Sequence, residues 1–108
     1  MKHLNVQWEH IVTNVIFTKE ATDNLINQAH FIFGLTLDIE KADKYLLTMK
    51  AHIVQTLSYF PKLGRSAEEY GLNIRKLVHK NYTILYLLEK NTIHIITIYK
   101  ENLPNIWD

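Results

Sequence analysis

The sequence predicts an α+β fold in the order β-α-α-β-β-β, a helical hairpin packed on one face of a four-stranded, mostly antiparallel sheet. Three observations predict it. Two stretches with helical apolar spacing stand back to back between residues 19 and 60. Three β-rich stretches follow between residues 73 and 100, joined by two tight connections. A single β-rich run precedes the helices.

That first run is His10–Thr18, where Ile11, Val12, Val15, Ile16 and Phe17 are β-branched or aromatic. Thr18 is placed as a helix N-cap, with Glu20 and Asp23 near the positive end of the helix dipole. Ala21, Leu25, Ala29 and Ile32 then mark one helical face, and Gly34 is placed to end the helix in the left-handed conformation. A second helix starts near Thr36 or Asp38. Its stripe is Ala42, Leu46, Met49, Ile53 and Leu57, opposite Lys41, Lys44, Lys50 and Gln55, and Pro61 and Gly64 stop it. Residues 61–72 form the one long connection. Strands are expected at Asn73–Lys80, Tyr82–Glu89 and Thr92–Lys100, turning at Lys80-Asn81 and Lys90-Asn91 because Asn tolerates positive φ. Apolar residues fill both phases of Tyr82–Glu89, which places it inside the sheet. One sheet face takes the helices. The other needs a cover that the chain hardly supplies, and a partner protein is the natural cover.

At 108 residues, with 47% hydrophobic and 21% charged residues, the chain reads as one globular domain spanning 1–108, with residues 1–9 as an N-terminal arm and 101–108 as a tail. The absence of cysteine excludes disulfide and thiolate chemistry. No stretch approaches the roughly 18 apolar residues of a membrane span, and no apolar run follows a basic start, so neither a membrane segment nor a signal peptide is expected. A cytoplasmic protein is the expectation. Net charge is only +1, but it is uneven: five Lys/Arg stand against one acid between Asn73 and Lys100. A cationic sheet that meets something acidic is therefore expected, not a deep cofactor pocket.

Val15–Leu25 (VIFTKEATDNL), Phe60–Arg65 (FPKLGR) and Asn73–Pro104 together carry a wider pattern. The first is similar to an opening strand and helix start, the second to a Pro-x-x-Gly-Arg loop. The third is similar to a sheet signature of the form R-x-L-x-x-x-x-Y-x-I-x-Y. In this order they resemble the RelE/ParE superfamily of toxins from type II toxin–antitoxin systems, known also for plasmid stabilization. The resemblance implies a cognate antitoxin partner in a toxin–antitoxin hetero-oligomer. It implies one of two targets: DNA gyrase for ParE-like members, or ribosome-bound mRNA for RelE-like mRNA interferases.

The residues favour the ParE-like branch, a gyrase inhibitor that is not itself an enzyme. RelE-like chains carry an Arg after the Tyr that opens the central strand, where this chain has Thr83, and a basic run after the last strand, where it has Tyr99-Lys100-Glu101-Asn102. Glu101 would repel phosphate. The alternatives are a ribosome-dependent endoribonuclease and a non-toxic interaction domain.

If the chain is a nuclease, the catalytic candidates are Arg75, His79, Tyr99 and Lys100, because 2′-hydroxyl attack needs a proton acceptor, a proton donor and cations on the phosphate. Partner- or target-binding candidates are Lys62, Arg65, Arg75, Lys76, Lys80, Tyr99, Lys100 and Trp107. Arg75 and Lys76 fall on opposite faces of one strand. His30, His52 and His94 read as a helix-surface pair and a sheet histidine. No metal site and no cofactor are expected.

Overall fold

The computed structural model describes residues 14–100. In order the elements are β1 (Asn14–Phe17), α1 (Lys19–Thr36), α2 (Ile39–Tyr59), β2 (Arg65–Ser66), a 3-10 turn (Glu68–Tyr70), β3 (Ile74–His79), β4 (Tyr82–Glu89) and β5 (Thr92–Lys100). The sheet runs β1-β5-β4-β3-β2. β1 pairs with β5 in parallel, and the other three pairings are antiparallel. The sheet is therefore mixed and five-stranded, not four-stranded as expected. The extra strand is β2, which lies in the long connection and pairs Arg65 with Lys76 and Ser66 with Arg75. Two residues carry no periodicity, so no sequence pattern announces such a strand.

The helices form where their capping predicts. The Thr18 hydroxyl accepts from the Ala21 amide at 3.1 Å and donates to the Ile96 carbonyl at 2.8 Å. Asp38 caps α2, its Oδ1 accepting from the Glu40 and Lys41 amides at 3.0 and 3.1 Å. The end of α1 departs from expectation. Gly34 lies inside the helix, and Leu37, at φ 55°, is the left-handed cap, its amide donating to the Phe33 carbonyl. Likewise Lys80 and Lys90, not the asparagines after them, take positive φ at the two hairpin turns.

Both helices cover one sheet face. Ala21 and Leu25 of α1 and Met49, Ile53 and Leu57 of α2 pack on Ile84, Tyr86, Ile93, Ile95 and Ile98. Each fully buried Leu or Ile contributes about 2 kcal/mol. Strict alternation would put Ile95 and Ile98 on opposite faces. A bulge resolves this: Leu85 pairs with Thr97 but Tyr86 with Ile95, leaving Ile96 as the extra residue. Beyond Ile95, β1 has ended, and α1 takes over its bonding. Asn24 Oδ1 accepts from the Ile98 amide at 2.9 Å and from the Thr97 hydroxyl at 3.0 Å.

The opposite face is partly covered by the chain itself. Ala67, Ile74 and Leu85 form a second buried cluster with Leu87, Ile96 and Tyr99 packed against it. Ala67 comes from the connection, held by its amide donating to the Ile74 carbonyl at 2.9 Å. No helix of the described residues is long and apolar enough to cross a membrane.

Candidate functional site

The predicted cations do not gather on the open sheet face. Register divides them. On β3, Arg75 and His79 share the helix side with Leu77, while Lys76 lies on the other. Lys100 pairs across from Tyr82 and so belongs to the helix side, whereas Tyr99 packs in the outer cluster. Of the nuclease candidates, His79 and Lys100 therefore flank Tyr82 on the helix side, Arg75 lies farther along β3 on that side, and Tyr99 lies on the other. Trp107 lies outside the described residues.

His79 opens onto a cleft of about 510 Å³ between α2 and the β3–β4 hairpin. It is lined by Lys41, Lys44, Tyr45, Thr48, Met49 and His52 from α2, and by His79, Lys80 and Tyr82 from the hairpin. Among the described residues, no carboxylate lines it. The His52 and His79 rings stack with centroids 4.0 Å apart and planes 28° from parallel. Burial, then the neighbouring His52 and Lys80, pushes the His79 pKa below the ordinary histidine value. At the floor, the Tyr45 and Tyr82 rings meet at 6.3 Å. The Tyr82 hydroxyl donates to Gln28 Oε1 at 3.2 Å. The Tyr45 hydroxyl is buried with no hydrogen bond of acceptable geometry among the described residues. Its pKa is raised by burial and by the adjacent Tyr82 phenol.

Arg75 belongs to a second group that shapes the loop after α2. Its Nε donates to the Gly64 carbonyl at 2.8 Å and a terminal nitrogen donates to the Lys62 carbonyl at 3.3 Å. The Tyr86 hydroxyl donates to the Pro61 carbonyl at 2.8 Å and accepts from the Gly64 amide at 3.0 Å. Arg75 therefore holds backbone here. The Lys62 side chain is exposed beside Tyr59, Phe60 and Leu63. Arg65 forms an exposed ion pair with Glu69 at 2.9 Å, which raises the arginine's pKa and lowers the glutamate's.

His94 pairs with Glu89 at 3.3 Å, and His30 is exposed on α1. Among the described residues, no three His, Cys, Asp or Glu side chains come together as a metal would require.

Sequence reasoning named His79, Lys80 and Lys100 but treated Lys41 and Lys44 as a solvated face and His52 as a bland helix residue. The missed signal is their spacing. Residues 41, 44, 45, 48 and 52 form a second stripe beside the apolar one, so whatever packs against the edge of that apolar stripe also faces them.

Residues 15–102 match the family model described as ParE toxin of type II toxin-antitoxin system, parDE. The chain belongs to the ParE toxin family. Among solved structures, this ParE-family chain is similar to one described as "Chromosomal ParDE TA system from P. aeruginosa". The two share 17% sequence identity with a TM-score of 0.62, over 86% of this chain and 99% of that one. At that identity the likeness concerns the fold. No curated protein matches the chain by sequence.

Proposed function

We propose that this chain is the toxin of a type II toxin–antitoxin pair, that it arrests growth by inhibiting DNA gyrase, and that a cognate antitoxin neutralises it in a cytoplasmic hetero-oligomer. The observation that carries the reading is the family match across residues 15–102. Two features of the chain support inhibition through protein contact over catalysis. The nuclease candidates are divided between the two sheet faces, with Tyr99 packed on one and Arg75, His79 and Lys100 on the other. The tip of the helical hairpin exposes Phe31, Phe33, Leu35, Leu37 and Ile39, a run of large apolar side chains of the kind used to bind protein. Lys80 and Lys100 on the helix side, and Lys62 and Arg65 on the loop, are the cations offered to partners. Lys76 and Tyr99 are offered from the other face.

The test is expression of the chain alone in a bacterial host. Growth should stop, with filamentation and DNA-damage signalling, and purified chain should block supercoiling by gyrase. Rapid loss of translation with cleaved mRNA, abolished by joint alanine substitution of Tyr99 and Lys100, would replace this reading with that of an mRNA interferase. Normal growth with soluble protein would leave a non-toxic interaction domain.

A further inference from the structure

We propose that the cleft between α2 and the β3–β4 hairpin is a proton-coupled docking site for a carboxylate-rich peptide segment of a partner protein, with His79, stacked on His52, taking up the proton. For the source of that segment the inference rests on the toxin reading. For the site it rests on geometry alone.

The cleft is a concentrated cationic mouth over an apolar floor. Lys41 and Lys44 flank it on α2, Lys80 closes it from the hairpin, and Met49, Tyr45 and Tyr82 line its base. Lys100 adds a further cation from the β5 position opposite Tyr82. Among the described residues, no carboxylate lines the cleft to neutralise these groups. The natural complement is a segment that alternates acidic and apolar side chains, the first for the rim and the second for the floor. A nucleic acid fits less well, because it needs a basic track continuing along the surface. Here Glu40 and Asp43 interrupt the lysines of α2 in sequence, other acids stand on α1 (Glu20, Asp23), after β2 (Glu68, Glu69) and on β4 (Glu89), and the whole chain is only +1.

The proton coupling follows from the stack. Two imidazoles 4.0 Å apart cannot both be charged cheaply. The groups that face them, Lys41, Lys44, Lys80 and the phenols of Tyr45 and Tyr82, supply no negative charge near neutral pH. Protonation of His79 among these neighbours is accordingly disfavoured. A bound carboxylate reverses the local sign, raises the histidine's affinity for a proton, and is in turn held more tightly once that proton arrives. Linkage makes the two effects equal: a one-unit rise in pKa on binding strengthens binding up to about tenfold at low pH.

The experiment uses the full chain and a short fluorescein-labelled Glu/Leu peptide, followed by anisotropy between about pH 7.5 and about pH 5.5, where the peptide's carboxylates stay ionised and histidine titrates. Affinity should rise about five- to tenfold toward the acid end. Lys44→Ala combined with Lys80→Ala should weaken binding throughout. His52→Gln combined with His79→Gln should flatten the pH dependence of binding, whatever affinity the variant keeps near pH 7.5. Imidazole NMR of the unsubstituted chain gives a second measurement that needs no variant: the His79 pKa should move up when the peptide saturates. A pH-independent affinity, indifference to the lysines, or a His79 titration unmoved by peptide overturns the proposal. Tighter binding of a short oligouridine RNA at the same lysines overturns it in favour of a nucleic-acid site. Growth arrest is scored separately. A chain that arrests growth but ignores the peptide sinks this site and not the toxin reading, and the converse result does the opposite.

Discussion

The Tyr86 hydroxyl and the Gly64 amide lie 3.0 Å apart, joining the middle of the central strand to the loop that follows α2. The same hydroxyl donates to the Pro61 carbonyl at 2.8 Å, so one phenol satisfies a donor and an acceptor of a loop with no ladder of its own. Tyr86 is fully buried, and burial raises its pKa. Tyr86→Phe should therefore cost about 1–3 kcal/mol, the penalty for leaving a buried backbone group unpaired, while keeping the ring's packing. Urea unfolding monitored by far-UV signal measures it. A loss below about 0.5 kcal/mol would show that water replaces the hydroxyl without penalty.

Gly64 is fixed by space as well. A Cβ there would sit 2.8 Å from the Lys76 carbonyl oxygen and 2.9 Å from the Tyr86 ring. The oxygen belongs to the β3 backbone beside β2, which cannot move without opening that pairing. Gly64→Ala should destabilise the chain by about 1–3 kcal/mol, the usual cost of overpacking. For a domain of this size that lowers Tm by about 4–8 °C per kcal/mol, readable by calorimetry. Gly34→Ala is the control: nothing lies within 4 Å of its added Cβ, and inside α1 it should stabilise by about 0.5–1 kcal/mol.

These contrasts show which parts of the molecule the sequence made readable. The apolar stripes predicted the core because helical period reports burial directly: Ala21, Leu25, Ala29, Ala42, Met49, Ile53 and Leu57 are all buried. The last two strands were read to the residue, since alternation and flanking turn residues bound them on both sides. Backbone conformation at single residues was less legible. Gly34 looked like the stop signal of α1, yet Leu37 takes that position because the Asp38 cap fixes where α2 begins. β2 was invisible for lack of length. The cleft was half legible. His79, Lys80 and Lys100 stood out by charge at strand ends, but His52 became notable only once α2 was laid over β3, a tertiary fact no local pattern contains.

Leu37 itself invites a substitution. At φ 55° a leucine pays about 1–2 kcal/mol of backbone strain, and its side chain is 78% exposed, so little burial offsets that. Leu37→Gly removes the strain and adds about 0.5–1 kcal/mol of unfolded-state entropy. The difference predicts a change between neutral and about 1 kcal/mol more stable. Chemical denaturation decides it, and a clear loss of stability would mean that Leu37 is held by contacts beyond those described. If the hairpin tip meets a target protein, the same variant should weaken growth arrest while folding at least as well.

The His79 environment sets a pH dependence of stability whose sign can be worked out. Burial, His52 and Lys80 depress its pKa in the folded chain below the value of about 6.5 expected when unfolded. Between those two values the unfolded chain binds the proton and the folded chain does not, so stability rises with pH across that window. The contribution is complete above about pH 6.5, declines as pH falls toward the folded pKa, and is flat below it. Unfolding midpoints measured in steps from about pH 7.5 down to about pH 5 should therefore fall on the acid side of about 6.5. His79→Gln should reduce that fall without shifting stability much near pH 7.5, since glutamine cannot take up the proton. An unchanged acid-side slope in the variant would assign the titration to another group and show that the stacked pair does not govern it.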